Sequence, residues 1–160
     1  MRAEAIQVAV RVDAARWRRA VPGVTALARR AALAAVAASR AGEAGEIALV
    51  LADDKTVQRL NRDYRGKDKP TNVLSFPLDG GPRAPLGDVV LALETVLAEA
   101  KAQGKSASDH ASHLIVHGVL HLLGHDHRKA APARRMEALE RRILARLGIA
   151  DPYRLGRAAA

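Results

Sequence analysis

Four of the six histidines in this chain fall within one short run, His117-Gly118-Val119-Leu120-His121-Leu122-Leu123-Gly124-His125-Asp126-His127. His117 and His121 are one helical turn apart. At about 100° per residue a helix sets them nearly one above the other. That is the spacing by which one helix face offers two imidazoles to a metal ion. Gly124 can take the left-handed conformation that stops a helix and reverses the chain, so that His127 returns toward the same ion. Three neutral imidazoles with one position left open is the coordination of a catalytic zinc site, whereas a structural zinc is normally closed by a fourth protein ligand. Bound zinc lowers the pKa of a water molecule to about 7 and polarises an oxygen of the substrate. The chemistry these residues suggest is therefore hydrolysis.

The flanking residues qualify that reading. His113 and His110 continue the same stripe backward and read as core or supporting groups. Asp126 can orient an imidazole, as metal-bound histidine commonly requires of a carboxylate, or can simply stabilise the turn. In the zinc-peptidase pattern HExxH the residue after the first histidine is the general base. Here that residue is Gly118, which weakens a peptidase reading on chemical grounds.

The composition sets the outer bounds. A chain of 160 residues is of single-domain size and long enough to bury a core. Hydrophobic residues make up 49% and charged residues 27%, a soluble globular mix. There is no cysteine, so disulfides and thiolate metal sites are excluded and a transition-metal site must use histidine and carboxylates. The formal charge of +9 points to a polyanionic partner, of which nucleic acid is the commonest. Aromatic residues are only 2% of the chain, which argues against base stacking as the main mode of binding and leaves phosphate contacts to dominate. No stretch approaches the roughly 20 apolar residues of a membrane span. The first residues, with Glu4 and Asp13 among the apolar ones, lack a signal-peptide core. A cytoplasmic protein is expected.

The elements that would position the histidines follow from periodicity. Gln7 to Val10, Ile47 to Leu51, Val73 to Phe76 and Gly87 to Ala92 read as strands. Val24 to Arg40 reads as an Ala-rich helix between Pro22-Gly23 and Gly42. Asp53 or Asp54 can cap a helix running to Tyr64, after which Arg65 to Asn72 forms a charged loop. Further helices are expected from Glu94 to Gln103, Ser108 to Leu123 and Pro132 to Leu147, the last two stopped by Gly124 and Gly148. The pattern predicts a single α+β domain over 1–150. It has one mixed sheet of about four strands packed with helices, and a metal site at the end of a central helix. Residues 151–160 are expected to form a flexible tail.

At this point the motifs carry a resemblance. The run from His117 to His127 resembles the HxxxHxxxxxH signature of the YbeY family of bacterial rRNA maturation factors. Leu60-Asn61, the stretch Tyr64-Arg65-Gly66-Lys67-Asp68-Lys69-Pro70-Thr71-Asn72-Val73-Leu74-Ser75-Phe76-Pro77, and Leu86-Gly87-Asp88-Val89-Val90 agree with the family in the same order. The resemblance covers roughly residues 45 to 147. His125 stands where the family often has tyrosine. The resemblance implies a metal-dependent endoribonuclease acting on single-stranded RNA, in maturation of the small-subunit ribosomal RNA 3′ end and in ribosome quality control. Ribosomal RNA and the small ribosomal subunit with its proteins are the implied partners. It also implies His117, His121 and His127 as ligands of one zinc ion, and Arg65 as the functional arginine beside it. A planar guanidinium suits that role, because it can hold two phosphate oxygens at once. Asp88, Asp126 and His125 are candidates for the general acid or base; alternatively solvent protonates the leaving oxygen, or the RNA's own 2′-hydroxyl attacks. A second reading makes the protein a ribosome-assembly factor whose metal mainly holds the fold, and a third a zinc hydrolase of another substrate such as a peptide. Arg59, Arg62, Arg65, Lys67 and Lys69 form one basic cluster that could follow RNA phosphates. Arg134, Arg135, Arg141, Arg142 and Arg146 load the final helix and could do the same, although interleaved Glu137 and Glu140 make a solvated face at least as good a reading.

Overall fold

Ile47-Ala48-Leu49-Val50-Leu51-Ala52 is apolar at every position, as befits a strand covered on both faces. In the computed structural model it forms most of β2 (Gly45–Ala52), an inner strand of a four-stranded sheet. The structure describes residues 6–39, 45–78, 85–124 and 130–153. The sheet order is β1-β2-β4-β3. β1 (Ile6–Val12) and β4 (Pro85–Ala92) run parallel to β2, and β3 (Val73–Pro77) pairs antiparallel with β4. The mixed sheet and the α+β class are as the sequence pattern predicts.

Among the described residues six helices pack around the sheet. They are α1 (Arg16–Ala20), α2 (Val24–Ser39), α3 (Asp54–Arg65), α4 (Leu93–Gln103), α5 (Ala107–Leu122) and α6 (Ala130–Arg146). α2 and α5 lie together on one face, with α6 packed against both. Ile47, Leu49 and Leu51 of β2 and Val89 and Leu91 of β4 join Ala28, Ala32, Ile115, Val119, Leu120, Met136 and Ile143 in the main core, all of them buried. The opposite face carries a smaller apolar cluster, in which Val57 of α3 meets Val50, Ala52, Leu74, Val90 and Ala92.

Several boundaries are set by side-chain chemistry. Asp53, not Asp54, is the N-cap of α3, its carboxylate accepting from the Thr56 amide at 2.9 Å. Asp54 instead accepts from the Thr95 amide at 2.9 Å, while Glu94 accepts from the Asp54 amide at 2.8 Å. The first turns of α3 and α4 thus satisfy one another's orphan amides. α6 begins two residues before Pro132, which falls in the first turn, where its missing N–H costs no intrahelical bond. The short α1 is not foreseen by periodicity. It is anchored by Trp17, which is fully buried and donates its indole N–H to the Ala52 carbonyl at 2.8 Å. The chain remains bonded to α6 beyond residue 150: Asp151 accepts from the Arg141 guanidinium at 3.2 Å, and Tyr153 reaches Glu140. The rest of the expected tail, 154–160, lies outside the described residues.

Candidate active site

α5 is capped by Ser106, whose hydroxyl accepts from the Asp109 amide at 3.0 Å. Its run of apolar residues faces the sheet and α2, and Ile115, Val116, Val119 and Leu120 are wholly buried. His117 and His121 fall on the half-exposed side of the same helix, one turn apart. The helix ends at Leu122, and Gly124 follows with φ +97°, the stop expected there. His125, Asp126 and His127 lie outside the described residues. Among the described residues, no group of three or more His, Cys, Asp and Glu side chains is arranged to hold a metal ion.

Gly118 explains how closely this helix sits on the sheet. A Cβ there would stand 2.7 Å from Val89 Cγ1 and 3.2 Å from Ser75 Oγ. The Ser75 hydroxyl donates to the Gly118 carbonyl at 3.1 Å, in a buried bond. A side chain as large as glutamate has no room at this position, which faces the sheet rather than the histidine side. The peptidase base is therefore missing for a steric reason as well as from the sequence.

Arg65 closes α3, and Gly66 after it has the left-handed conformation of a helix stop. The exposed guanidinium donates to the Ser75 carbonyl at 3.4 Å. Ser75 therefore touches Arg65 through its carbonyl and Gly118, the residue between the two histidines' turns, through its hydroxyl. β3 is an edge strand, so the sheet brings the arginine motif and the histidine helix together at its own margin. Arg59 and Arg62 of α3 and Lys67 and Lys69 just after it are exposed.

Behind the histidines is a buried polar network. Glu140 of α6 is fully buried. One of its oxygens accepts from His117 Nδ1 at 2.9 Å, the other from His113 Nε2 at 2.8 Å and from the Tyr153 hydroxyl. Burial alone would raise the Glu140 carboxyl, but the bonds from His113 and His117, attraction to His117 and the Tyr153 bond outweigh it and hold it at about 2. Burial and the adjacent Glu140 charge push the Tyr153 hydroxyl above its ordinary value. His110, one turn before His113, sits against Glu99 at 2.8 Å, and Asn72 donates to the same carboxylate at 3.0 Å. Burial lowers the His110 ring below its usual value despite that carboxylate. His110 and His113 are thus each hydrogen-bonded to a carboxylate, Glu99 and Glu140 respectively.

Among the described residues, Asp88 lies on the opposite face of the sheet from α5 with its His117 and His121. Its neighbour Gly87 faces α5, since a Cβ there would stand 2.7 Å from Leu122 Cδ2. Alternation along β4 then turns Asp88 to the other face, where it lines a cleft of about 390 Å³ with Arg11, Leu60, Tyr64 and Phe76.

The family model described as endoribonuclease YbeY matches residues 11–148. The chain belongs to the YbeY family. The Endoribonuclease YbeY of Paramagnetospirillum magneticum is 52% identical over 157 residues, covering 92% of this chain and 96% of the relative. That of Rhodospirillum rubrum is 53% identical over 153 residues, covering 86% of this chain and 76% of the relative. The solution structure of TM1509 from Thermotoga maritima shares the fold at 17% identity, with a TM-score of 0.54 over 88% of this chain and 91% of that one.

Within this YbeY-family fold, Glu140 is the residue that sequence reasoning passed over. In the local string Met136-Glu137-Ala138-Leu139-Glu140-Arg141-Arg142-Ile143-Leu144 it looks like part of a charged surface. The signal lies in the helical period. Met136, Leu139, Ile143 and Leu144 are all buried, and Glu140 falls on their stripe, one turn from Met136 and one turn from Leu144. A carboxylate on an apolar stripe facing a histidine-bearing helix is a paired carboxylate. The remaining arginines of α6 are at the surface: Arg134, Arg135, Arg142 and Arg146 are exposed, and Arg141 pairs with Asp151.

Proposed function

We propose that this chain is a zinc-dependent endoribonuclease cutting single-stranded RNA, acting in the cytoplasm on the 3′ end of small-subunit ribosomal RNA and in ribosome quality control. The observation that carries the reading is the meeting of Arg65 and the His117–His121 turn on Ser75, in a member of a family whose curated relatives are named endoribonucleases. The donor set fits zinc. There are two imidazoles at helical spacing, no thiol competes, and a carboxylate backs Nδ1 of one ring, the outer partner that a metal-bound histidine commonly has. His117, His121 and His127 would hold the ion. Bound there, zinc supplies a Lewis acid for a phosphoryl oxygen and lowers the pKa of water to about 7.

The chain's own residues do the rest. Among the described residues Arg65 is bonded to a backbone carbonyl and not to a carboxylate, so its fork can turn toward phosphate. As negative charge grows on the phosphorus oxygens, a fixed guanidinium stabilises it, and loss of one such donor costs about 10²–10³ in kcat. Arg59, Arg62, Lys67 and Lys69 would follow the flanking phosphates, with the small ribosomal subunit as the larger partner. Asp88 faces away and is not assigned a role in proton transfer. Proton transfer is left to His125, Asp126 or solvent, with attack by the RNA 2′-hydroxyl as the alternative route.

The test is cleavage of a single-stranded RNA by wild type, His121→Ala and Arg65→Ala, all freed of trace nuclease. Both variants are expected to lose cleavage, and only His121→Ala to lose zinc. A zinc-loaded wild type that leaves RNA intact, with a His121→Ala variant that unfolds, would instead favour an assembly factor with a structural metal.

A further inference from the structure

We infer that Glu140 is a positioning residue for the metal centre: clamped by His113 and Tyr153, its carboxylate fixes the tautomer of His117 so that Nε2 is the nitrogen presented to the metal. The inference rests on the zinc reading above and adds a residue, and a reason for it, outside the histidine motif.

The hydrogen-bond inventory carries it. An ionised carboxylate only accepts. His117 Nδ1 lies 2.9 Å from one Glu140 oxygen, so Nδ1 carries the proton. A neutral imidazole protonated at Nδ1 has its lone pair on Nε2, the form required of a ligand through that nitrogen. His113 Nε2, at 2.8 Å, and the Tyr153 hydroxyl both donate to the other oxygen. Three donors on two oxygens leave the carboxylate no freedom to turn. The partners of this α6 carboxylate come from α5 and from the segment after α6, so the clamp ties the metal helix to the C-terminal end of the fold. Full burial of Glu140 keeps water from substituting for any of these bonds.

The asymmetry of the clamp makes a sharp test. In Glu140→Gln one oxygen becomes an NH2 donor. The amide oxygen keeps most bonds by staying with His113 and Tyr153, the side with two donors. The NH2 then faces His117 Nδ1, which must give up its proton and become an acceptor. His117 is driven to the Nε2–H tautomer, and the ligating nitrogen is blocked. Glu137→Gln is the control, with the same change of charge on the same helix at a side chain 39% exposed and paired with Arg141.

Zinc affinity of the full chain is measured by competition with a chromophoric chelator, alongside thermal unfolding. Glu140→Gln is expected to bind zinc about 10–100-fold more weakly, the usual effect of losing an outer partner, while Glu137→Gln matches wild type. Equal affinities for wild type and Glu140→Gln would overturn the inference and leave the zinc reading intact. A wild-type chain that takes up no zinc would overturn the zinc reading, and the inference with it. Should Glu140→Gln fail to fold, the ring nitrogens of His117 are read by NMR in the zinc-loaded wild type. A proton on Nδ1 is expected, and a proton on Nε2 would refute the assignment.

Discussion

Gly118→Ala separates two opposed effects by sign. At an ordinary exposed helix position, alanine is more favourable than glycine by about 1 kcal/mol. At position 118 the added methyl would stand 2.7 Å from Val89 Cγ1, 3.2 Å from Ser75 Oγ and 3.4 Å from Val73 Cγ2. Overpacking of this kind costs roughly 1–3 kcal/mol. With a contact as short as that to Val89, the upper part of the range applies, and the net loss is about 1–2 kcal/mol. For a domain of this size each kcal/mol moves Tm by about 2–4 °C, so Gly118→Ala should melt roughly 2–8 °C below wild type by far-UV circular dichroism at equal zinc. Val89→Ala removes the offending Cγ1, and in the double variant the cost of the alanine should shrink. A Gly118→Ala variant that melts above wild type would show that α5 is not pressed against β3 and β4 at this turn. The account of how Arg65 and the histidines are brought together would then fail.

Other consequences can be checked in turn. Arg65→Lys should recover only part of the cleavage lost in Arg65→Ala, because an ammonium cannot reproduce the planar fork; full recovery would reduce the role of Arg65 to charge. The Thr56 bonds hold the Asp53 carboxyl below its ordinary value of 3.8, so its stabilising charge is present above that value and lost as pH falls through the lower folded value. Asp53→Ala should therefore cost about 1 kcal/mol at neutral pH, and the gap in urea midpoints should narrow below about pH 4; a gap that stays constant into acid would contradict the cap. Lys67→Ala should weaken RNA binding for all sequences alike and reduce the slope of log K against log salt by about 1; an unchanged slope would remove Lys67 from the phosphate path.

The strands were legible because β2 and β4 are apolar runs and β1 alternates, and the histidine helix because its spacing and its glycine stop are both local. α1 left no such trace: five residues with one buried tryptophan give no period to read. The choice between Asp53 and Asp54 as cap was also hidden, since Asp54 is recruited by Thr95 across the fold. Glu140 shows the deeper limit. Its neighbours in sequence are charged, whereas its partners His113, His117 and Tyr153 arrive from other segments, so only the packed helices reveal that it is paired. The place of Asp88 was undecided for the same reason, and the register of β4 against β3 settles which face it occupies.

In the proposed function, His117, His121 and His127 hold one metal ion on which cleavage depends. The most direct measurement is titration of zinc into metal-free wild-type chain, with RNA cleavage and bound zinc followed in the same sample and His121→Ala as the contamination control. Cleavage that rises with zinc, levels off at one ion per chain and is absent throughout in His121→Ala is the predicted result. Cleavage that is already full before zinc is added, or that persists in His121→Ala, would contradict it.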